Sequence, residues 1–156
     1  MSQVVVYAAY GQAMLSAHAL ERKLCTLLMT RCVEPKSDEN HFDKQMAEIK
    51  RLPLGRLIER FIEGFSVEGE LQEELDNMLY FRNELAHRIA EMLLRKALDP
   101  GWHNRLVTEL LEIESCFRET NARLECYLDE WLNANGYKKE LLVSMGKAIY
   151  KGLVSG

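Results

Sequence analysis

Apolar residues recur at steps of three and four along most of the 156-residue chain, which is the period of a helix with one buried face. One such run extends from about residue 4 to residue 32, and another extends from about residue 102 to residue 134. Both runs predict long amphipathic helices. The stripe of the first consists of Tyr7, Tyr10, Met14, Ala17, Leu20, Leu24, Leu27 and Leu28, and that of the second of Leu106, Leu110, Ile113, Phe117, Leu124, Leu128 and Trp131.

Prolines and short polar stretches separate these runs from further helices. Pro35 lies in the polar stretch VEPKSDEN, and Pro53 interrupts the apolar pattern again, with Gly64 as the expected C-cap of the short helix that follows. Pro100 follows Asp99 and suits the first position of a helix. The remaining helices are predicted at about residues 41–51, shortly after residue 53, at 67–98 and at 138–151.

This order of elements predicts the fold class. The chain is the size of one ordinary domain, and it shows neither the alternation typical of strands nor an internal repeat. Short connections between long helices favour antiparallel neighbours. We therefore predict one domain over residues 1–156, an all-α antiparallel bundle of about five to six helices.

Composition and charge restrict the class of protein. Hydrophobic residues make up 47% and charged residues 28%, as in globular domains, and the net charge of -4 argues against binding to nucleic acid or anionic membrane through bulk charge. The first twenty residues contain no Lys, Arg, Asp or Glu, but Gln12, Ser16 and His18 interrupt the apolar pattern. We interpret them as the start of a buried helix, not as a signal peptide or membrane span, and expect a cytoplasmic protein.

Cysteine and histidine spacing predicts neither a metal nor a cofactor. The cysteines lack a C-x-x-C pair, and the histidines form no H-E-x-x-H or similar ligand pair. We expect the cysteines to be small buried apolar residues in a reducing compartment. They are Cys25, Cys32, Cys116 and Cys126.

The most informative segment is FRNELAHRI, residues 81–89, midway along the predicted helix 67–98. In a regular α-helix, position 82 falls on the apolar stripe of that helix, so Arg82 interrupts it. A guanidinium is almost never fully buried without a partner. Arg82 must therefore reach outward or meet an acidic or phosphate partner. The stripe consists of Leu71, Leu75, Met78, Leu85, Ile89 and Met92.

Two further polar residues accompany Arg82. Asn83 and His87 are four apart and share a face with Tyr80 and Glu84. Arg82 and His87 are five apart, about 140° around and about 7.5 Å along a regular α-helix, so one chain gives a loose site. A second copy across a two-fold axis would bring two histidines and two arginines into one cleft, which predicts a homodimer.

A purely structural interpretation of the same segment remains open. Asn83 can bond to a helix end, Glu84 can pair with Arg88 one turn away, and a neighbouring group can satisfy His87. The aromatic residues Tyr80 and Phe81 suit packing against neighbouring helices, and stacking on an unpaired RNA base is the alternative.

The segment Arg82-Asn83-x-x-x-His87, late in a long helix of an all-α domain, resembles the HEPN superfamily, whose ribonuclease members carry an arginine, a polar residue and then a histidine at this spacing. The N-terminal segment YGQAMLSAHALERKL and the segment LGRLI at residues 54–58 are also similar to HEPN proteins. The resemblance covers roughly residues 5–130. It implies an HEPN-like fold and a dimer with a composite site.

What the resemblance implies about function is a metal-independent endoribonuclease, acting as a toxin or phage-defence effector that an antitoxin or other protein partner restrains. His87 would be the general acid or base, Arg82 would hold the scissile phosphate, and Asn83 would orient His87 or the phosphate. Tyr80 and Arg88 are the candidate RNA-binding residues. The alternative is a non-catalytic dimeric interaction module, antitoxin-like or similar to the mannitol repressor, in which the motif stabilises the dimer.

Overall fold

The computed structural model describes residues 3–32, 39–94, 100–134 and 136, and every regular element among them is helical. This confirms the predicted all-α helical bundle. The predicted helix 138–151 lies outside the described residues. The elements are α1 (Gln3–Cys32), α2 (Glu39–Ile49), α3 (Leu54–Phe65), α4 (Glu70–Asn83), a π-helical segment (Glu84–Ile89), α5 (Ala90–Leu94) and α6 (Pro100–Ala134).

The helix that carries FRNELAHRI changes its hydrogen-bonding pattern along its length. It begins as α4, passes through the π-helical segment Glu84–Ile89 and continues directly as α5. We call the whole of Glu70–Leu94 the motif helix. It matches the predicted helix 67–98 except at its ends, of which residues 95–99 lie outside the described part of the chain.

Capping explains most of the helix boundaries. The helix α6 begins at Pro100 as predicted, and Gly136 after its end has a φ of 72°. The prediction for Gly64 is wrong, because Ser66 is the C-cap of α3 and adopts φ 53° and ψ 47°. The Val67 N–H donates to the Ile62 carbonyl at 3.0 Å, which is the hydrogen bond of a Schellman motif. The helix therefore reaches its C-cap two residues after the predicted one.

The two longest helices, α1 and α6, run parallel to each other. Ser16 Oγ donates to Glu114 Oε1 at 3.4 Å, and Lys23 Nζ donates to the Asn121 carbonyl at 3.2 Å. The partners are seven residues apart and in the same order on both helices. The motif helix runs antiparallel to α6, since its start contacts the later part of α6 and its end contacts the earlier part. These contacts are Arg123–Glu70, Arg123–Glu74 and Arg88–Glu109.

One apolar core joins the three long helices to α3. The largest fully buried side chains come from all of them: Leu20, Leu24, Leu27, Leu57, Phe61, Leu75, Leu85, Ile89, Leu106, Leu110, Phe117 and Leu124. Phe65 and Tyr127 extend this core at one end, where the Tyr127 hydroxyl donates to the Phe65 carbonyl at 2.8 Å. The motif therefore lies on a helix whose opposite face is anchored in the core.

The cysteines differ from the prediction at one position. Cys25 and Cys116 are half-buried against the core, and burial raises the pKa of both thiols. Cys126 is exposed, because it lies on the solvent side of α6. The side chain of Cys32 lies outside the described residues.

The N-terminal half of α1 is buried on one side only. Val6 and Ala13 are fully buried, whereas Val4 and Leu15 are 74% and 65% exposed. The expectation of a buried helix thus holds for one face of α1, and the opposite face is apolar and uncharged. Among the described residues, no helix combines the length and the apolar character needed to cross a membrane.

Candidate functional site

The candidate site is built on the π-helical segment ELAHRI, Glu84–Ile89. A π-helix is bonded from residue i to i+5, so residues five apart lie about one turn from each other. The regular α-helix assumed for this segment is therefore wrong. The residues from Glu84 to His87 belong to this segment, and its wider turn reduces the angle around the axis between positions 82 and 87 relative to a regular α-helix. Such segments occur frequently at functional sites.

A side chain from α1 supports this segment. The Tyr10 hydroxyl donates to the Leu85 carbonyl at 3.1 Å, and the Leu85 and Ile89 side chains are fully buried. A carbonyl oxygen has two lone pairs, so it can accept a bond from a side chain in addition to a bond within its helix. The bond from Tyr10 ties α1 to the backbone that carries His87.

We expect Tyr10→Phe to lower the free energy of unfolding by about 1 kcal/mol, because it removes one partly buried hydrogen bond and little apolar contact. Thermal and denaturant unfolding measure this change. The matched control is Tyr7→Phe, since the exposed Tyr7 hydroxyl only accepts a bond from Gln3 at 3.3 Å. Equal stability of the two variants would contradict a role for Tyr10 in holding the segment.

Arg82 has the acidic partner that its position required. Its Nε donates to Glu21 Oε1 at 3.3 Å, and the second carboxylate oxygen of Glu21, Oε2, lies 3.0 Å from His18 Nδ1. The Arg82 side chain is 32% exposed and that of Glu21 is 22% exposed. We call these three residues the His18–Glu21–Arg82 cluster. It joins α1 to the motif helix at the position where the apolar stripe is interrupted.

Glu21 engages only one of the nitrogens of Arg82. A guanidinium has five N–H donors, and the bond to Glu21 uses Nε. Within the described part of the chain, no hydrogen bond occupies the terminal Nη1 and Nη2 groups of Arg82. These two groups can still bind an anion in the paired manner typical of arginine and phosphate.

Asn83 and His87 are both exposed. Neither side chain makes a hydrogen bond to another described residue. The structural interpretation required a helix end for Asn83 and a satisfying neighbour for His87, and the described residues provide neither. The imidazole of His87 is accordingly open to solvent and to a ligand.

Arg88 is held by two carboxylates. It pairs with Glu84 one turn away, as the structural interpretation predicted, and with Glu109 on α6. The hydrogen bond to Glu84 is the main cause that raises the pKa of Arg88 above its ordinary value. An RNA phosphate has to compete with both carboxylates for this guanidinium.

The two aromatic residues before Arg82 have different surroundings. Tyr80 is 59% exposed, whereas Phe81 is half-buried against the core. Their ring centroids are 5.8 Å apart with an interplanar angle of 59°. Tyr80 therefore presents a ring that an unpaired base can stack on, and Phe81 has a packing role.

Sequence reasoning missed His18 and Glu21 as members of the site. Their spacing of three residues allows contact on one helix, and Glu21 is the first charged residue of the chain. Nothing in the sequence places Glu21 beside Arg82, which is 61 positions away. Among the described residues, no three His, Cys, Asp or Glu side chains form a group that could hold a metal ion.

Comparison of the chain with protein-family models, with curated proteins and with solved structures returned no significant match. The resemblance to the HEPN superfamily therefore stays a prediction that rests on the motif and on its place in the helix order.

Proposed function

We propose that the chain is a metal-independent endoribonuclease of HEPN type that cleaves single-stranded RNA. The observation that carries this proposal is the exposed His87 imidazole, which has no partner among the described residues and follows Arg82 through a π-helical turn. A histidine imidazole can both accept and donate a proton, which is the chemistry that this reaction needs. Arg82 offers two terminal donors for a phosphate beside it.

The reaction uses the RNA's own nucleophile. The 2′-hydroxyl loses its proton and attacks the adjacent phosphorus, the bond from phosphorus to O5′ breaks, and O5′ receives a proton. The products are a 2′,3′-cyclic phosphate and a 5′-hydroxyl. Arg82 stabilises the negative charge that develops on the phosphate oxygens, and His87 transfers one of the two protons. Asn83 orients the phosphate or the imidazole, and Tyr80 stacks on a neighbouring base.

A substrate with a single changed nucleotide tests this proposal. A labelled RNA oligonucleotide with one cleavage position is compared with the same oligonucleotide carrying a 2′-deoxyribose at that position. Attack by the 2′-hydroxyl predicts cleavage of the first and no cleavage of the second. Equal cleavage of both would show that water or another nucleophile attacks the phosphate, and would contradict the proposed chemistry.

The biological setting that we propose is a cytoplasmic toxin or phage-defence effector restrained by a protein partner. Bulk attraction supplies much of the affinity for RNA in many RNA-binding proteins, and the overall charge of -4 gives this chain none. Binding must then rely on local donors such as Arg82. Co-purification of the chain with the product of an adjacent gene, together with suppression of cleavage, tests this setting.

We also propose that the chain acts as a homodimer that uses the exposed face of α1. Val4, Tyr7 and Leu15 are exposed on this face, and the first twenty residues carry no charge. An uncharged apolar surface suits a two-fold interface, because no like charges meet when the same patch packs on itself.

We expect Leu15→Glu to convert a dimer into a monomer, because it places one carboxylate from each copy into the proposed interface. Size-exclusion chromatography with light scattering should give twice the chain mass of 18.1 kDa for the wild type and one chain mass for the variant. The control is Gln72→Glu, which adds the same charge to an exposed position of the motif helix. A monomeric wild type, or an intact Leu15→Glu dimer, would contradict the use of this face.

The second candidate function is a non-catalytic interaction module, and a specific observation favours it. Arg82 and Arg88 are both tied into ion pairs between helices, to Glu21 and Glu109. In this candidate the motif only stabilises the fold or the dimer. It predicts no cleavage by the wild type and a loss of stability or of the dimer when Arg82 is removed.

A further inference from the structure

The proposed cleavage requires two proton transfers, and the motif supplies one obvious group. A base must take the proton of the 2′-hydroxyl, and an acid must give a proton to O5′. On the motif helix, His87 is the histidine that can perform one of these steps. A second group must come either from another helix of the same chain or from a second copy.

The His18–Glu21–Arg82 cluster links a second imidazole to Arg82 through the Glu21 carboxylate. One oxygen of Glu21 accepts from Arg82 Nε at 3.3 Å, and the other lies 3.0 Å from His18 Nδ1. The carboxylate therefore connects the two residues directly. A phosphate bound by the terminal groups of Arg82 would share this guanidinium with Glu21, the residue that contacts His18.

The contact with Glu21 also determines which nitrogen of His18 can act as a base. A carboxylate is only an acceptor, so Nδ1 of His18 carries the proton and donates to Glu21. In the neutral ring the other nitrogen, Nε2, is then an acceptor. The His18 side chain is 54% exposed, so a ribose hydroxyl can reach Nε2.

We propose that His18 is the general base of the reaction and that Glu21 is a positioning residue for both His18 and Arg82. This inference rests on the proposed ribonuclease function. His18 Nε2 takes the proton of the 2′-hydroxyl as O2′ bonds to phosphorus, and protonated His87 gives its proton to O5′ as that bond breaks. The negative charge of Glu21 stabilises the imidazolium that forms on His18, as a carboxylate does for the histidine of a catalytic triad.

The competing assignment takes the base from a second copy of the chain. A two-fold axis that brought two His87 side chains together would provide acid and base without His18. The two assignments differ in one measurable respect, which is whether cleavage needs His18.

The test compares single-turnover cleavage of a labelled single-stranded RNA by the wild type, His18→Ala and Glu21→Gln. We expect His18→Ala to lower the maximal single-turnover rate constant at least about 100-fold, the lower end for general acid or base catalysis, with little change in the protein concentration that gives half of that rate. Glu21→Gln should lose a similar factor. Arg82 Nε can only donate, so it takes the single amide oxygen and leaves the NH2 group facing His18 Nδ1. Nδ1 then has to accept, and the imidazole adopts the wrong tautomer. The control is His103→Ala on α6, which should cleave like the wild type.

Rescue separates a catalytic from a structural role. Removing an exposed imidazole leaves space at the surface, so free imidazole in the buffer should restore part of the activity of His18→Ala and none of the activity of His87→Asn. Loss of cleavage that imidazole does not restore, together with a lowered melting temperature, would overturn the catalytic assignment of His18 and leave it a structural role.

Two further outcomes separate a failure of this inference from a failure of the proposed function. Cleavage that depends on Arg82 and His87 but survives His18→Ala would overturn this inference alone and favour a base from a second copy. No cleavage by the wild type, alone or with its partner, would overturn the proposed function and this inference with it.

Discussion

His87→Ala is expected to lower the rate of RNA cleavage on the order of 100- to 10,000-fold, the range for a group that transfers a proton in the transition state. The fold should be unaffected, because His87 is exposed and makes no hydrogen bond to another described residue. Single-turnover cleavage of a labelled oligonucleotide measures the rate, and a thermal melt measures stability. The two readouts together separate loss of chemistry from loss of structure.

His103→Ala provides the matched control for this variant. His103 is a partly buried histidine on α6 outside the motif. Equal cleavage by the wild type and by both histidine variants would show that any observed activity comes from elsewhere. A large loss of stability in His87→Ala would also contradict the account, since nothing in the described structure rests on that imidazole.

Arg82→Ala is expected to lower the cleavage rate about 100- to 1,000-fold, the effect of removing one donor to developing negative charge. It should also lower the free energy of unfolding by roughly 1–2 kcal/mol, because the bond to Glu21 is partly buried and one partner is charged. Arg82 is therefore expected to contribute both to catalysis and to stability. The rate loss therefore has to be measured at a temperature where the variant is fully folded.

Arg123→Ala is the control for the structural part of that effect. Arg123 on α6 pairs with Glu70 and Glu74 of the motif helix, but its side chain is 46% exposed. Exposed pairs contribute about 0–1 kcal/mol, so this variant should lose little stability and no activity. An Arg82→Ala variant that matched Arg123→Ala in both readouts would contradict both the catalytic role and the tie to Glu21.

The helix order could be predicted because it depends on local signals. The three- and four-residue spacing of apolar positions, Pro53 and Pro100 placed the helices within a few residues of their observed bounds. The C-cap predicted at Gly64 was wrong, because Phe65 and Val67 are buried and the left-handed residue of the turn is Ser66. A C-cap depends on the contacts that follow it as well as on residue type.

The candidate site was predictable only in part. An arginine on an apolar stripe must reach outward or meet a partner, and the sequence alone shows that Arg82 is in this position. The identity of that partner depends on how α1 crosses the motif helix, so Glu21 and His18 could not be found. The π-helical segment could not be predicted from the sequence either. Its apolar spacing fits an α-helix as well, and the contact of Tyr10 with the Leu85 carbonyl that supports it comes from a distant part of the chain.

The most direct test of the central claim is the chemistry of the cleaved ends. The purified chain and its His87→Ala variant are incubated with labelled single-stranded RNA in excess chelator, and the product termini are identified by mass spectrometry. We expect cleavage by the wild type and none by His87→Ala, with 2′,3′-cyclic phosphate and 5′-hydroxyl ends. Cleavage that stops in chelator, or that leaves 5′-phosphate ends, would contradict a metal-free site built on Arg82 and His87.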